Sequence, residues 1–150
     1  MINNASNFAA SITISLILCL ILLWSSSVCE CVPNTNITTI LCNSGVYTSG
    51  DPFAISLSYV LEELEEVTPT QKNYDYYNIS PYPNAFAYGH AACNNNNNNL
   101  KKKTNLTSSD CKACLGVAKT TMLSSCEKRI GARSVLHDCT IRYEQYPFDD

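Results

Sequence analysis

The sequence predicts an α+β domain in which two helices pack on an antiparallel β-sheet and three disulfides tie these elements together. An even set of six cysteines lies between residues 42 and 139, behind an apolar N-terminal segment. Two segments carry apolar residues at helical spacing, and several short runs have the composition of strands. Because helices and strands do not alternate as they do in parallel βαβ units, the α+β class is favoured.

The apolar N-terminal segment predicts a secretory signal peptide over residues 1–31. Its apolar core, residues 10–24, is short and close to the N-terminus, and the small residues Ser25–Ser27 follow it. No Lys or Arg precedes the core, so only the terminal amine supplies the usual positive charge; a signal anchor is the alternative. We expect cleavage between residues 27 and 31. The latest cut leaves six cysteines, whereas the earliest leaves eight, because Cys29 and Cys31 are then retained.

Residues 32–150 are expected to form one exported domain, without stable membrane insertion. Removal of the leader takes away one Glu and no basic residue, so the mature chain stays mildly acidic. That charge argues against nucleic-acid binding, which needs a concentrated basic face. A domain of this size buries only a modest core, and thiols oxidise on the secretory route. The even set of cysteines therefore predicts a disulfide framework.

The first elements are a short strand and a helix. Ile37–Leu41 is rich in β-branched residues and predicts a strand, and Asn43–Gly45 predicts a turn. A helix is expected over Pro52–Glu65, with Ser49 or Asp51 as its cap. Its apolar stripe should be buried against the sheet; the stripe consists of Phe53, Leu57, Val60, Leu61 and Leu64.

The middle of the chain carries weaker signals. Thr68-Pro69 ends the first helix, and Tyr74–Pro83, rich in Tyr, Asn and Pro, is interpreted as an irregular connection. Asn84–His90 alternates like a strand, and residues 94–104 form an Asn- and Lys-rich low-complexity insert. The acidic residues of the first helix's last turn are expected to be a solvated face; they are Glu62, Glu63, Glu65 and Glu66.

The last part of the chain predicts a helix followed by two strands. The second helix is expected over Ser109–Cys126, after capping residues in Thr107–Asp110, with Leu115 and Ala118 buried. Two strands follow; they are Ala132–Leu136 and Cys139–Tyr143, joined by a turn at His137-Asp138.

Cys111 and Cys114 have a spacing that also occurs in zinc sites and in redox pairs. A zinc site needs a second closely spaced pair, and a thioredoxin-type pair needs a βαβ context; the sequence has neither. In an exported chain, two such cysteines instead staple one helix to two strands. We therefore expect no metal site and no cofactor.

Several spaced motifs occur together between Leu41 and Phe148. The motifs are Ala87-Tyr88-Gly89 before Ala92-Cys93, Asp110-Cys111-x-x-Cys114-Leu115, Cys126, Ile130-Gly131-Ala132-Arg133, Asp138-Cys139 and Ile141-Arg142-Tyr143-Glu144. In this combination the chain resembles the plant cysteine-rich secretory (stress-antifungal) domain of ginkbilobin-like proteins, which also occurs in the ectodomains of cysteine-rich receptor-like kinases.

The resemblance implies a disulfide pairing and shows one departure. The family has a Cys-x8-Cys-x2-Cys signature, whereas the insert at residues 94–104 lengthens the first gap here. A surface loop accepts such extra length at little entropic cost, so we expect the family's fold to be retained. The implied pairs are Cys42–Cys126, Cys93–Cys111 and Cys114–Cys139.

The resemblance also implies a sugar site. Ginkbilobin-like proteins bind mannose through an Asn after the first framework cysteine, an Arg in a Gly-Ala-Arg segment and a Glu after the Tyr of the last strand. The matching residues are Asn43, Arg133 and Glu144. Their amide, guanidinium and carboxylate groups suit vicinal sugar hydroxyls. Alternatively, Arg133 and Glu144 form a cross-strand ion pair and Asn43 serves only its turn. We expect Glu144 to be exposed and to contribute little to stability.

These residues give two hypotheses for function. The resemblance implies a secreted, non-enzymatic antifungal defence protein, similar to a lectin, whose partners are mannose-type glycans such as fungal wall mannan. The alternative is an interaction module of the apoplast that engages a receptor ectodomain or another secreted protein without sugar. Convergence of Asn43, Arg133 and Glu144 on one exposed patch favours the first; burial of Arg133 in a structural pair favours the second.

Three Asn-x-Ser/Thr sequons predict N-glycosylation of the exported chain. They begin at Asn36, Asn78 and Asn105; Pro81 weakens the second, and the third adjoins the insert. The two histidines, His90 and His137, accompany no Ser or Cys nucleophile motif and are expected to be ordinary strand and turn residues.

Overall fold

The computed structural model describes residues 32–93 and 106–150. Five strands form one antiparallel sheet in the spatial order β1-β4-β5-β3-β2, and two helices pack against it. The predicted α+β class is confirmed. The elements are β1 (Ile37–Cys42), α1 (Pro52–Val67), a 3-10 turn (Thr68–Thr70), β2 (Asp75–Ile79), β3 (Tyr88–Cys93), α2 (Ser108–Ser125), β4 (Gly131–Leu136) and β5 (Cys139–Glu144).

Helix α1 begins at one of the two predicted caps. The Asp51 carboxylate accepts a hydrogen bond from the Phe53 N–H at 2.9 Å, and Pro52 occupies the first turn, where its missing N–H leaves no bond unmade. The helix runs two residues beyond its predicted end at Glu65. Every residue of the predicted apolar stripe is buried; these are Phe53, Leu57, Val60, Leu61 and Leu64.

Helix α2 begins with a capping box and carries two of the disulfides. The Thr107 hydroxyl accepts from the Asp110 N–H, and the Asp110 carboxylate accepts from the Thr107 N–H. Leu115 and Ala118 are buried, as expected. Bridges from α2 reach β3 and β5, and a third ties the end of α2 to the end of β1; the pairs are Cys93–Cys111, Cys114–Cys139 and Cys42–Cys126.

The core lies between the helices and the sheet. Ile141 and Tyr143 of β5 are fully buried there. Gly89 of β3 lies beneath α1, where an added Cβ would collide with Val60 and Leu64, so a glycine at this position lets helix and sheet approach closely. Across the described part of the chain, no helix combines the length and the hydropathy needed to cross a membrane.

Two expectations for the middle of the chain were wrong. Tyr74–Pro83 is not irregular throughout, because Asp75–Ile79 pairs with β3 as an edge strand. The strand expected at Asn84–His90 instead runs over Tyr88–Cys93. In both cases the composition hid the strand: β2 alternates only between exposed and half-exposed residues, and β3 is rich in small residues.

The acidic end of α1 is more than a solvated face. Glu66 accepts from the Lys112 ammonium at 2.6 Å, and Glu65 pairs with Lys119, so two residues of α1 reach two of α2. The Lys119–Glu65 pair is the more enclosed of the two. The helix dipole disfavours acidic residues at the C-terminal end of α1, and the two lysine ammonium groups offset this effect for Glu65 and Glu66.

Candidate functional site

The residues of the predicted sugar site lie at one end of strands β1, β4 and β5. In the sheet register, Arg133 of β4 stands opposite Arg142 of β5, and Gly131 stands opposite Glu144. Side chains alternate between the faces of a strand, so Arg133, Arg142 and Glu144 project from the same face. Their neighbours Ala132, Ile141 and Tyr143 fill the core on the helix side.

A shallow cleft of about 340 Å³ brings the three predicted residues together. The Asn43 side-chain amide lies 3.4 Å from Glu144 Oε2 and 3.4 Å from the Tyr146 hydroxyl. Arg133 lines the same cleft, and its side chain is 37% exposed. The full lining is Leu41, Cys42, Asn43, Ala132, Arg133, Arg142, Glu144 and Tyr146.

Glu144 is buried, so the expectation of an exposed carboxylate was wrong. Only 7% of the residue is exposed. Its Oε1 accepts from both Nε and Nη2 of Arg142 at 3.3 Å. The carboxylate also lies over Gly131, where an added Cβ would collide with it. Glu144 therefore presents its remaining acceptor capacity to the cleft from a fixed position.

Asn43 serves both its turn and the cleft. Its side-chain oxygen accepts from the Gly45 N–H at 3.0 Å, which closes the predicted turn. Its backbone N–H donates to the Gly131 carbonyl at 2.8 Å and ties the end of β1 to the start of β4. These two bonds fix the side chain so that its amide nitrogen is aimed at Glu144.

Arg133 pairs with Asp150 rather than with Glu144. Its Nη1 lies 3.3 Å from Asp150 Oδ1. Its Nε is buried and has no hydrogen-bond partner within the described residues. The cross-strand pair with Glu144 that was one alternative is replaced by Arg142–Glu144, along a single strand.

The residues after β5 return across the same face of the sheet. Phe148 stacks on the Arg142 guanidinium, with 4.0 Å between the guanidinium carbon and the ring centroid. The Asp150 carboxylate accepts from Arg142 at 2.7 Å and contacts His90 Nδ1 at 2.6 Å. Burial raises the pKa of this carboxyl, but hydrogen bonds from His90 and Arg142 outweigh burial and hold the pKa below its ordinary value.

Sequence reasoning did not assign Arg142, Tyr146 or Asp150 to the site. The Glu144 charge, followed by burial, raises the pKa of the Tyr146 hydroxyl, which shows how close these groups are. Arg142 and Glu144 stand two residues apart on one strand, a spacing that places both on one face. That spacing was a sequence signal for the role of Arg142. No sequence pattern indicated that the residues after β5 return across the sheet.

Two of the predicted glycosylation sites lie among the described residues, and they differ in exposure. Asn36 is exposed, but the amide nitrogen of Asn78 is buried, and its sequon hydroxyl on Ser80 lies in the interior. Asn105, the leader with Cys29 and Cys31, and the insert lie outside the described residues. Within residues 32–93 and 106–150, no group of three or more His, Cys, Asp or Glu is placed to hold a metal ion.

Residues 41–146 match the family model described as salt stress response/antifungal. The chain is 30% identical to the antifungal protein ginkbilobin-like protein 1 of Picea glauca, over 98% of this chain and 99% of that protein. It is 36% identical to a ginkbilobin-like antifungal protein of Picea abies, over 77% and 99% of the two chains. It is 35% identical to antifungal protein ginkbilobin-2 of Ginkgo biloba, over 77% and 80%.

Two solved structures share the fold. The tandem DUF26 ectodomain of the Arabidopsis thaliana cysteine-rich receptor-like protein PDLP5 superposes with a TM-score of 0.62 at 17% identity, over 75% of this chain and 51% of that one. The corresponding ectodomain of PDLP8 gives 0.56 at 24% identity, over 75% and 46%. The chain thus spans about half the length of each tandem ectodomain.

Proposed function

Because this chain belongs to the salt stress response/antifungal family, we propose that it is a secreted defence protein that binds mannose-type glycans and restrains fungal growth. Mannan of the fungal wall is the proposed partner, and the proposed role is non-enzymatic. One observation supports sugar binding most strongly. Asn43, Arg133 and Glu144, which lie far apart in the sequence, line a single cleft.

The chemistry of the cleft suits a pyranose ring. Glu144 offers carboxylate acceptors, Arg133 offers guanidinium donors and the Asn43 amide offers a further donor, so adjacent hydroxyls find both kinds of partner. A volume of about 340 Å³ lies at the small end of ligand pockets, in keeping with a monosaccharide unit. Because Arg142 and the turn already hold Glu144 and Asn43, little ordering is needed on binding.

Export is part of the proposal. The apolar segment at residues 10–24 is the proposed signal, and delivery to the apoplast fits the three disulfides found among the described residues. We propose Asn36 as a glycosylated residue, since it is exposed at the start of β1. Asn78 is a poorer acceptor in the folded protein, because the nitrogen that would carry the glycan is buried.

Titration calorimetry with mannose and with yeast mannan tests the proposal. We expect the wild-type protein to bind and Glu144→Gln to bind about ten- to a hundredfold more weakly, because a charge-assisted hydrogen bond is lost. Glu62→Gln on α1 is the matched control: it removes the same charge from an exposed position that is not part of the cleft.

The same variants should differ in restraint of fungal growth in the order of their mannan affinities. Thermal unfolding of each variant shows whether the fold is retained, which matters because Glu144 is buried. Equal mannose affinities for the wild type and Glu144→Gln would place any sugar elsewhere. Absence of binding by the wild type would overturn the proposal.

Arg133 supports a second candidate function, because Asp150 already engages its guanidinium. In this case the domain is an apoplastic interaction module that contacts a receptor ectodomain or another secreted protein without sugar. The likeness to ectodomains of receptor-like proteins agrees with it at the level of fold. A wild-type protein that ignores mannose and mannan but binds an immobilised receptor-like ectodomain would favour this candidate.

A further inference from the structure

The open face of the sheet brings two arginines together at one register position. Arg133 and Arg142 stand directly opposite each other on neighbouring strands. Like charges in such a pair destabilise a sheet unless an anion lies between them. His90 of β3 is the next residue in the same row, because it stands opposite Arg142 on the other side of β5.

A carboxylate fills this position, and it comes from the same chain. Asp150 Oδ1 lies 2.7 Å from Arg142 Nη1 and 3.3 Å from Arg133 Nη1, while its Oδ2 lies 2.6 Å from His90 Nδ1. The Asp150 side chain is only 10% exposed. His90 Nε2 also lies 3.1 Å from Asp75 Oδ1, so the ring is held beside the Asp150 carboxylate. The two guanidiniums and the imidazole of His90 therefore surround one carboxylate.

The contact with Asp150 leaves hydrogen-bond donors of Arg133 unused. A guanidinium has five N–H donors, and Arg133 places one nitrogen against Asp150 while its buried Nε has no partner among the described residues. Arg133 and Arg142 both line the cleft that also holds Asn43 and Glu144. The carboxylate position is therefore continuous with the position proposed for sugar hydroxyls.

We propose that this cluster is a binding site for the carboxylate of an acidic sugar, a hexuronate, and that Asp150 occupies it as an internal competitor. The proposal rests on the proposed sugar-binding function of the same cleft and names a ligand class for it. With Asp150 displaced, the cleft carries two guanidiniums and one carboxylate, Glu144, and so has a net positive charge. A neutral hexose leaves that charge unbalanced, whereas a hexuronate balances it and presents its ring hydroxyls to Asn43 and Glu144.

Calorimetric titration of sodium galacturonate at low ionic strength tests the proposal on the full secreted chain. We expect Asp150→Ala to bind about tenfold more tightly than the wild type, because removal of a competitor raises the fraction of molecules with a free site. Asp149→Ala is the matched control: it removes the same charge one residue away, on an exposed side chain, and should bind as the wild type does. Asp150→Asn, which keeps the shape, should show a smaller increase.

The methyl ester of galacturonate, which keeps the ring but not the charge, should bind the Asp150→Ala protein at least tenfold more weakly than the acid does. Equal affinities for acid and ester, or equal affinities of Asp150→Ala and Asp149→Ala, would overturn the proposal. So would tighter binding of an acidic hexapeptide than of galacturonate. Mannose binding by the wild type is measured separately, so failure of the uronate site and failure of the mannose proposal give different results.

Discussion

Glu144 keeps its place in the cleft because residue 131 has no side chain. The carboxylate lies over Gly131 on the neighbouring strand and accepts from Arg142 on its own strand. A single missing Cβ thus decides where the acceptor of the candidate site stands. What matters at this position is the space left by the missing side chain, not the conformational freedom of glycine.

Gly131→Ala should therefore disturb the cleft more than the fold. The new Cβ pushes the Glu144 carboxylate away from Asn43, so we expect loss of mannose affinity and a decrease of about 1 kcal/mol in the free energy of unfolding. Calorimetry and urea denaturation measure the two effects. Gly116→Ala is the control: it adds the same methyl group in α2, where the new Cβ would lie 3.1 Å from Glu65 Oε1 and away from the residues that line the cleft, so it should leave mannose binding unchanged. Unchanged mannose affinity in Gly131→Ala would contradict the role given to Glu144.

The site could be predicted from the sequence only in part, for a physical reason. Motif resemblance alone identified Asn43, Arg133 and Glu144, and all three line the cleft. The position of Arg142 opposite Arg133 follows from the tight turn at His137-Asp138, because turn length fixes the register of a hairpin; this local signal was present in the sequence. The contact of Asp150 with His90 joins residues whose proximity depends on the whole fold.

At the scale of elements, the helices were predictable and two strands were not. Capping residues and apolar stripes identified both helices in the sequence, and each helix begins within one residue of its expected position. Strand β2 forms the edge of the sheet and buries none of its residues, so it has no alternation of apolar and polar residues to detect. Strand β3 lies between β5 and β2, and its small residues have low β propensity. One of them, Gly89, leaves room for the helix above.

Helix α1 should stabilise the protein mainly through the side chains that it packs on the sheet. Leu64 is fully buried over Gly89, so Leu64→Ala should lower the free energy of unfolding by about 2–5 kcal/mol through lost burial and a residual cavity. Ile55 lies on the same helix and is 64% exposed, so Ile55→Ala should change the free energy of unfolding by less than about 0.5 kcal/mol. Guanidinium denaturation without reductant measures both. Similar losses in the two variants would show that α1 does not pack as described.

At the scale of the molecule, three bridges join the elements that contribute to the core. Cys42–Cys126 spans 84 residues, whereas Cys114–Cys139 and Cys93–Cys111 span 25 and 18. In the chain-entropy model, a longer span restricts the unfolded chain more. The bridge between the ends of β1 and α2 therefore has the largest expected effect.

Removal of the long bridge should cost more than removal of the short one. We expect the double variant Cys42→Ala/Cys126→Ala to lose about 4–5 kcal/mol of unfolding free energy and Cys93→Ala/Cys111→Ala to lose about 3 kcal/mol. Denaturation of both proteins under non-reducing conditions gives the comparison. The reverse order would mean that native-state interactions, rather than restriction of the unfolded chain, decide the effect of each bridge.

The Cys93–Cys111 bridge has a consequence for the Asn- and Lys-rich stretch that it encloses. Residues 94–110 form a covalent ring whose base is the bridge itself. A protease that cuts the backbone within this ring does not release either part, because Cys93–Cys111 and Cys42–Cys126 still join the two pieces. The protein then persists as two chains with the residues of the cleft still attached to one another. Scission within residues 94–110 therefore leaves the helices and strands of the domain covalently joined.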